Sequence, residues 1–294
     1  MMKKRKKITL FDVVVHIISG ILLVMVLYPL IVVVSSSFSD PALVATGKIV
    51  LLPKGINIEG YKALLGNRDI VTGYANAIFY TVFGTIINLI VTLPAGYALT
   101  KNKVPGRNLF MTLFMITMYF SGGLIPTFLL VNSLGLYNTR LILLIWGAFS
   151  TYNCIICRSF FAAMPTELEE AAEIDGCNPL RSFIQIILPL SKALLGVMVL
   201  YFGVAHWNSY FSAMIYIKDD AMQPLQVFLR RILILAQTAA MNVEEGGEYA
   251  AAMAEREALI RYAVIVVSSA PLLIVYPFLQ KYFDKGVLIG SVKG

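Results

Sequence analysis

Long apolar runs alternate with short polar stretches along this chain. Six runs reach the length of a bilayer-crossing helix, about 20 residues for a hydrocarbon core of about 30 Å. They are Val13–Val34, Ala77–Leu99, Phe110–Val131, Leu141–Phe161, Leu190–Ile217 and Leu259–Leu279. Any one of them also suits a buried helix of a large soluble domain. Six in 294 residues leave too little polar sequence to cover them. The pattern therefore predicts an all-α integral membrane protein of six transmembrane helices, since helices satisfy their own backbone hydrogen bonds in lipid. The expected organisation is a short N-terminal segment (1–12), a transmembrane domain (13–279) and a C-terminal tail (280–294). Polar segments 38–74 and 218–258 fall on one side of the membrane and 163–189 on the other. Within them, Asn57–Leu65 is expected to form a short interfacial helix and Pro224–Ile232 an amphipathic one, followed by a polar, irregular stretch around Asn242–Gly247.

Composition agrees with that class: 58% of residues are hydrophobic and 14% charged, and the mean hydropathy of +0.77 is far above that of ordinary soluble domains. Charge then sets the orientation. With the N-terminus inside, the cytoplasmic side carries Lys3, Lys4, Arg5, Lys6, Lys7, Lys101, Lys103, Arg107, Arg158, Arg181, Lys192, Lys281, Lys285 and Lys293, which is 14 of the 24 basic residues. Basic residues outside are offset by acids such as Asp219, Asp220, Glu244, Glu245 and Glu248, so the net charge of +7 lies inside. Both termini are predicted to be cytoplasmic (N-in/C-in). The basic balance thus reflects topology, and no nucleic-acid partner is implied. The basic N-terminus before an apolar run also resembles a signal peptide. The run is too long for that, and no small-x-small site follows it, so an uncleaved first helix is expected.

Chemistry inside the chain is sparse. Cys154 and Cys157 form a C-x-x-C, but within the fourth run and without a second pair or a His cluster, which favours apolar packing. There is no G-x-x-x-x-G-K-[ST] loop for nucleotide, no metal-ligand cluster and no paired carboxylate inside a span. Catalytic and metal sites are therefore not expected, and neither is a cofactor in this chain. Ion-coupled carriers use intramembrane charges, and here only Asp12, His16 and His206 lie near or within the runs. A self-contained ion-coupled secondary carrier and a membrane-embedded hydrolase or transferase remain the rival readings.

The polar segment 163–189 has the clearest local signals. Pro165 suits a first helical turn, and Thr166, Glu167 and Glu169 place acids at a positive helix end. That helix is expected to run to about Asp175 and stop at Gly176, which tolerates a left-handed backbone. Asn178-Pro179 restarts the chain as N-cap and first helical residue, and a second helix continues to Leu188 and Pro189. Ala171 and Ala172 offer a small-residue face, with Glu170 beside them as a charge for a partner's Arg or Lys. A helix so rich in Glu is repelled by an anionic leaflet, which favours a protein partner over a lipid surface.

The pattern Glu170-Ala171-Ala172-x3-Gly176-x9-Ile186-x-Leu188-Pro189 resembles the EAA motif of binding-protein-dependent ABC importer permeases. The chain is similar to the smaller permease of the carbohydrate (maltose-type) group, and to its lipoprotein, pectin-oligosaccharide and alginate-oligosaccharide branch. Phe120-Ser121-Gly122-Gly123-Leu124-Ile125-Pro126-Thr127, Ser133-Leu134-Gly135-Leu136-Tyr137-Asn138-Thr139 and the tail Lys285–Gly294 carry that nearer likeness. The resemblance implies a type I importer permease fold in the bacterial inner membrane. It implies a second permease subunit as heterodimer partner, two ABC ATPase subunits that hold ATP and Mg, and an extracytoplasmic solute-binding protein. The loop would then be the coupling helix, seated in an ATPase cleft through Glu170, Ala171, Ala172, Gly176, Ile186, Leu188 and Pro189. Lys285, Gly286, Gly290 and Ser291 of the tail would reach between the ATPase subunits.

An oligosaccharide is the implied solute, with a non-sugar solute as the alternative. Sugars present apolar ring faces and polar edges, which suit aromatic, amide and hydroxyl groups. Tyr119, Asn153, Trp207, Asn208 and Tyr210 are the candidates for a substrate pathway, with Asn132, Trp146 and Tyr152 beside them. An aromatic-belt or helix-packing role fits each of them as well. Pro94 and Pro126, the latter just after Gly122-Gly123, are expected to kink their helices.

Overall fold

The computed structural model describes residues 9–234, 260–278 and 280. The described residues form helices and loops without strands and divide into two compact units. One comprises residues 9–67, 229–234 and 260–269; the other comprises 68–228, 270–278 and 280.

In the first unit, α1 (Leu10–Ser37) opens on a capping box. The Thr9 backbone N–H donates to the Asp12 carboxylate at 2.9 Å, and the Asp12 N–H donates to the Thr9 hydroxyl at 3.3 Å. The helix is exposed along its apolar length. Two short helices follow: α2 (Pro41–Ala45), capped by Asp40 with proline at its first turn, and α3 (Glu59–Gly66), within the stretch expected to be helical. Serines hold this segment together. Ser35 donates to the Leu51 carbonyl at 2.6 Å, Ser39 donates to the Ser35 carbonyl and accepts the Lys54 N–H, and Phe38 stacks on Tyr61 at 4.9 Å.

In the second unit, α4 (Arg68–Ala98) is the post around which the others pack. It begins nine residues ahead of Ala77, where the second apolar run starts, and continues through Pro94 unbroken. Then come α5 (Arg107–Tyr119), α6 (Leu124–Ser133), α7 (Arg140–Ile145) and α8 (Thr151–Ala162). The cytoplasm-assigned segment forms α9 (Glu167–Ile174) and α10 (Pro179–Leu190), after which α11 (Lys192–Trp207) and α12 (Phe211–Tyr216) complete the unit's main helices. A helix over 225–234, α13, crosses the division, as does α14 (Ile260–Phe278).

Close packing on α4 depends on two glycines. A Cβ at Gly84 would lie 2.4 Å from the His206 ring of α11, and one at Gly96 would lie 2.6 Å from the Cys157 Cβ of α8. Small residues at such crossings let helix backbones approach where lipid supplies no hydrophobic drive for association. Cys157 is fully buried in this packing, and Cys154 nearly so. Asn76 and Tyr80 of α4 donate to carbonyls of the 221–223 turn. Asn138, at φ +56°, accepts the N–H groups of Lys218 and Asp219, tying the 133–139 stretch to the same region.

Three of the six expected spans are not continuous helices. The third breaks between α5 and α6 with a bend of 115°. Phe120 is extended and Gly123 adopts φ +83°, while Pro126 lies in the first turn of α6, where no N–H is needed. The fourth breaks at Trp146–Ser150, where Gly147 is left-handed (φ +74°) and Ser150 caps α8. The fifth turns by 85° at Ser191 and stops at Asn208–Tyr210, polar residues whose side chains compete with helical bonding. By length and composition, three described helices can cross a membrane: α1, α4 and α14. The number becomes five if each of the two bent pairs counts as one span.

The break in the fourth run exposes carbonyls that no helix satisfies. Asn88 of α4, 1% exposed, donates to the Gly147 and Ala148 carbonyls at 2.7 and 3.0 Å, and its Oδ1 accepts from His206 Nε2 at 2.7 Å. Replacing Asn88 with alanine strands both carbonyls. The expected loss is about 1–3 kcal/mol of stability, read as a lower melting temperature of the detergent-solubilised protein. An unchanged melting curve counts against this role.

Candidate functional site

Two sites stand out in the second unit: the α9–α10 hairpin and a pair of clefts at the helix breaks. The hairpin follows its local chemistry closely. Pro165 sits one residue ahead of the N-cap Thr166 instead of inside the first turn, and Glu167, Glu169 and Glu170 fill that turn. Gly176 takes φ +76°, the left-handed C′ conformation that stops α9. Asn178 then caps α10, accepting the Arg181 N–H at 2.8 Å, with Pro179 as first residue. Residues Phe183–Ile187 form a π-helical turn within α10. Pro189 has no N–H for the Gln185 carbonyl, and its ring presses on that position in a regular α-helix, so the wider turn relieves the conflict.

The predicted coupling residues divide by environment. Glu170, Ala171, Gly176 and Pro189 are exposed. Glu170 makes no ion pair among the described residues. Ala172 is only 2% exposed and faces its own chain, so it contributes nothing to an outward small-residue face. Ile186 and Leu188 are half-buried, and Leu188 packs against the core. At the tip, Ile174 is 87% and Leu180 65% exposed. These two apolar side chains flanking the turn were not singled out in the sequence. The signal available was their placement on either side of Gly176-Cys177-Asn178.

The hairpin is fastened to the rest of the unit in two ways. Phe183 and Ile187 of α10 share a core with Leu93 and Tyr97 of α4, Cys157 and Phe161 of α8, and Leu194, Met198 and Phe202 of α11. The Tyr97 and Phe183 rings lie 4.8 Å apart, with Phe161 edge-on to both. In addition, Lys101 pairs with Glu169 and Lys103 with Glu173 at 3.6 Å, joining α9 to the loop after α4. Lys101 also lies over the Tyr97 ring at 4.1 Å, and Arg158 donates to the Leu99 carbonyl at 3.2 Å. The tail residues Lys285, Gly286, Gly290 and Ser291, and the Asn242–Gly247 stretch, lie outside the described residues.

Two clefts of about 300 and 230 Å³ open where the helices break. Ser121, Gly123 and Thr127 line the first; Asn88, Ser150, Asn153, His206 and Ser209 line the second; Trp146 and Ser212 line both. Of the five predicted pathway residues, Asn153 lines the second cleft. Trp207 is buried edge-on against Tyr74, and Tyr210 is half-buried against a neighbouring core. Tyr119 and Asn208 are exposed and line neither cleft. Ser209 and Ser212 escaped sequence reading, since a serine inside an apolar run looks like helix packing.

Among the described residues, no group of three His, Cys, Asp or Glu side chains can hold a metal ion. The hairpin presents acids and an apolar tip, which suits docking, and the clefts present amide, hydroxyl and indole groups, which suit a polar solute.

Residues 70–289 match the family described as "Binding-protein-dependent transport system inner membrane component". The chain is 41% identical to Protein LplC of Bacillus subtilis (strain 168) over 266 residues, covering 90% of this chain and 89% of that protein. It is 38% identical over 288 residues to the polygalacturonan/rhamnogalacturonan transport system permease protein YtcP of the same organism, covering 97% and 99% of the two chains. It also superposes with a TM-score of 0.83, at 35% identity, on a chain of a solved bacterial ABC transporter involved in the import of the acidic polysaccharide alginate. That match covers 96% of this chain and all of the other.

Lys101 and Glu169 are each about 29% exposed, so their pair contributes at most about 1 kcal/mol. Lys101→Glu is expected to raise amide exchange in α9 severalfold by hydrogen-exchange mass spectrometry, and the reciprocal Glu169→Lys is expected to restore protection. Equal exchange in all three proteins removes the tether.

Proposed function

Because the chain belongs to the family of inner-membrane components of binding-protein-dependent transport systems, we propose that it is the permease subunit of an ATP-driven importer. The proposed solute is a carbohydrate, specifically an oligosaccharide. The observation that carries this reading is likeness over nearly the whole chain to a pectic-polysaccharide permease and to an alginate importer. The sugar-compatible clefts at the helix breaks support it. The family is a transport component of the membrane and not an enzyme.

The proposed topology has six crossings with both termini cytoplasmic. Helices α1, α4 and α14 cross singly, α5 with α6 crosses as a bent pair, α7 with α8 and α11 with α12 cross end to end, and α10 stays with α9 on the cytoplasmic side. The excess of basic residues on the cytoplasmic side supports this orientation. The proposed assembly pairs this chain with a second permease on two ATPase subunits, which hold ATP and Mg. An extracytoplasmic binding protein delivers the solute.

In the proposed mechanism the α9–α10 hairpin is the coupling element. Glu170 meets a basic residue of the ATPase, Ala171 allows close approach and Gly176 sets the turn. Ile186, Leu188 and Pro189 transmit motion to α11. The tail, through Lys285, Gly286, Gly290 and Ser291, contacts the ATPase pair. Closure of the ATPases moves the hairpin, and the shared core of Tyr97, Phe161 and Phe183 carries that motion as a rigid body into α4 and α8. The access of the pathway changes side by domain rocking. The proposed pathway runs past Asn153 and Trp146 at the helix breaks, and Trp207, buried against Tyr74, is outside it.

Purification from native cells in mild detergent, with mass spectrometry of what accompanies the chain, tests the assembly. A P-loop ATPase, a second permease and a binding protein are expected; the chain recovered alone and binding solute overturns the reading. Glu170→Lys and Gly176→Val are each expected to abolish transport while the chain stays inserted. Normal substrate-stimulated ATP hydrolysis in either variant removes the hairpin from the coupling step.

A further inference from the structure

We propose that the cleft beside Trp146 is a binding subsite, within this chain itself, for one hydroxyl-bearing ring of the transported oligosaccharide. The inference rests on the carbohydrate reading above and adds the place and the chemistry of recognition.

Asn153 is the first reason. Its side chain is nine-tenths shielded and lines the cleft, yet it makes no hydrogen bond among the described residues. Its carboxamide atoms stay in contact with the open cleft, where solvent or a ligand can reach them. The neighbouring amide of Asn88, by contrast, is occupied on both atoms. Asn153 therefore holds a free donor and acceptor toward the cavity. The hydroxyls of Ser209 and Ser212 border the same cleft and also make no hydrogen bond among the described residues.

Trp146 is the second reason. It stands where the helix break leaves the backbone extended, is 42% exposed, and lines both clefts. An exposed indole face next to a free amide and two hydroxyls matches a sugar ring, whose C–H face is apolar and whose edge donates and accepts hydrogen bonds. A lipid chain in the same place would leave Asn153 unsatisfied.

The lining also restricts the ligand. Among the described residues no Lys or Arg borders either cleft, and His206 Nε2 is engaged by Asn88. The subsite thus reads ring hydroxyls, and any carboxylate of an acidic sugar must be met elsewhere in the assembly. Cavities of about 230 and 300 Å³ lie below and at the lower limit of the range of about 300–1,000 Å³ for small-molecule sites, which suits a single ring.

The test uses the complete transporter in vesicles, with its binding protein and a panel of neutral and uronic-acid trisaccharides. Asn153→Ala and Trp146→Leu are each expected to lower sugar imported per ATP hydrolysed at least tenfold. Trp146→Phe, which keeps an aromatic face, is expected to stay within about threefold of the parent. Ser212→Cys gives a readout independent of those variants: a water-soluble thiol reagent, located by mass spectrometry, is expected to label it less when an imported trisaccharide is present. Parental import per ATP in both Asn153→Ala and Trp146→Leu overturns the subsite, as does equal labelling with and without sugar; the carbohydrate reading then stands, because the parent imports sugar. A parent transporter that imports no trisaccharide overturns the carbohydrate reading and the subsite together.

Discussion

A backbone carbonyl in hydrocarbon has no water to turn to, and this chain breaks its helices in the middle of its apolar runs. That constraint explains why Asn88 matters so much. Its carboxamide takes both carbonyls freed at Gly147 and Ala148 and holds His206 on its remaining atom. The three elements meeting there are α4, the α7–α8 junction and α11. Glycine at 84 allows the His206 ring to lie against the α4 backbone. A bulkier residue at that position would push apart the same elements that Asn88 joins.

The same post organises the opposite end of α4. Tyr97 meets Phe161 and Phe183, and the adjoining loop reaches α9 through Lys101 and Lys103. Aromatic packing fixes α10 and the ion pairs restrain α9, so the hairpin has one firm and one adjustable attachment. Close-packed cores transmit displacement with little compression, while partly exposed ion pairs are weak and exchangeable. In the proposed mechanism the firm contact carries the stroke, and the weak pairs let α9 adapt to the surface it meets.

Short-range chemistry was legible where neighbouring residues decide the outcome. Gly176, Asn178 and Pro179 each perform the turn or cap their type suggests, and the apolar runs marked where helices are found. Longer-range outcomes were not legible. Ala171 and Ala172 look equivalent in sequence, yet one is exposed and the other buried, because burial depends on which face α9 turns toward its own chain. Trp207 was as good a pathway candidate as Trp146 until the fold buried the first against Tyr74 and left the second bordering two clefts. The π turn of α10 ends two residues before Pro189, and Phe183 and Ile187 at its two ends are held in the shared core.

The sequence by itself determined the membrane class, the helical content and the punctuation of the α9–α10 hairpin. Those follow from hydropathy, helix-end chemistry and steric limits within a few residues. Only the tertiary structure decided which apolar runs stay whole. Breaking a helix in lipid is tolerable only where the freed backbone finds a partner in the protein or lines a water-filled cavity. For Gly147 and Ala148 that partner is Asn88, 59 and 60 residues earlier in the chain.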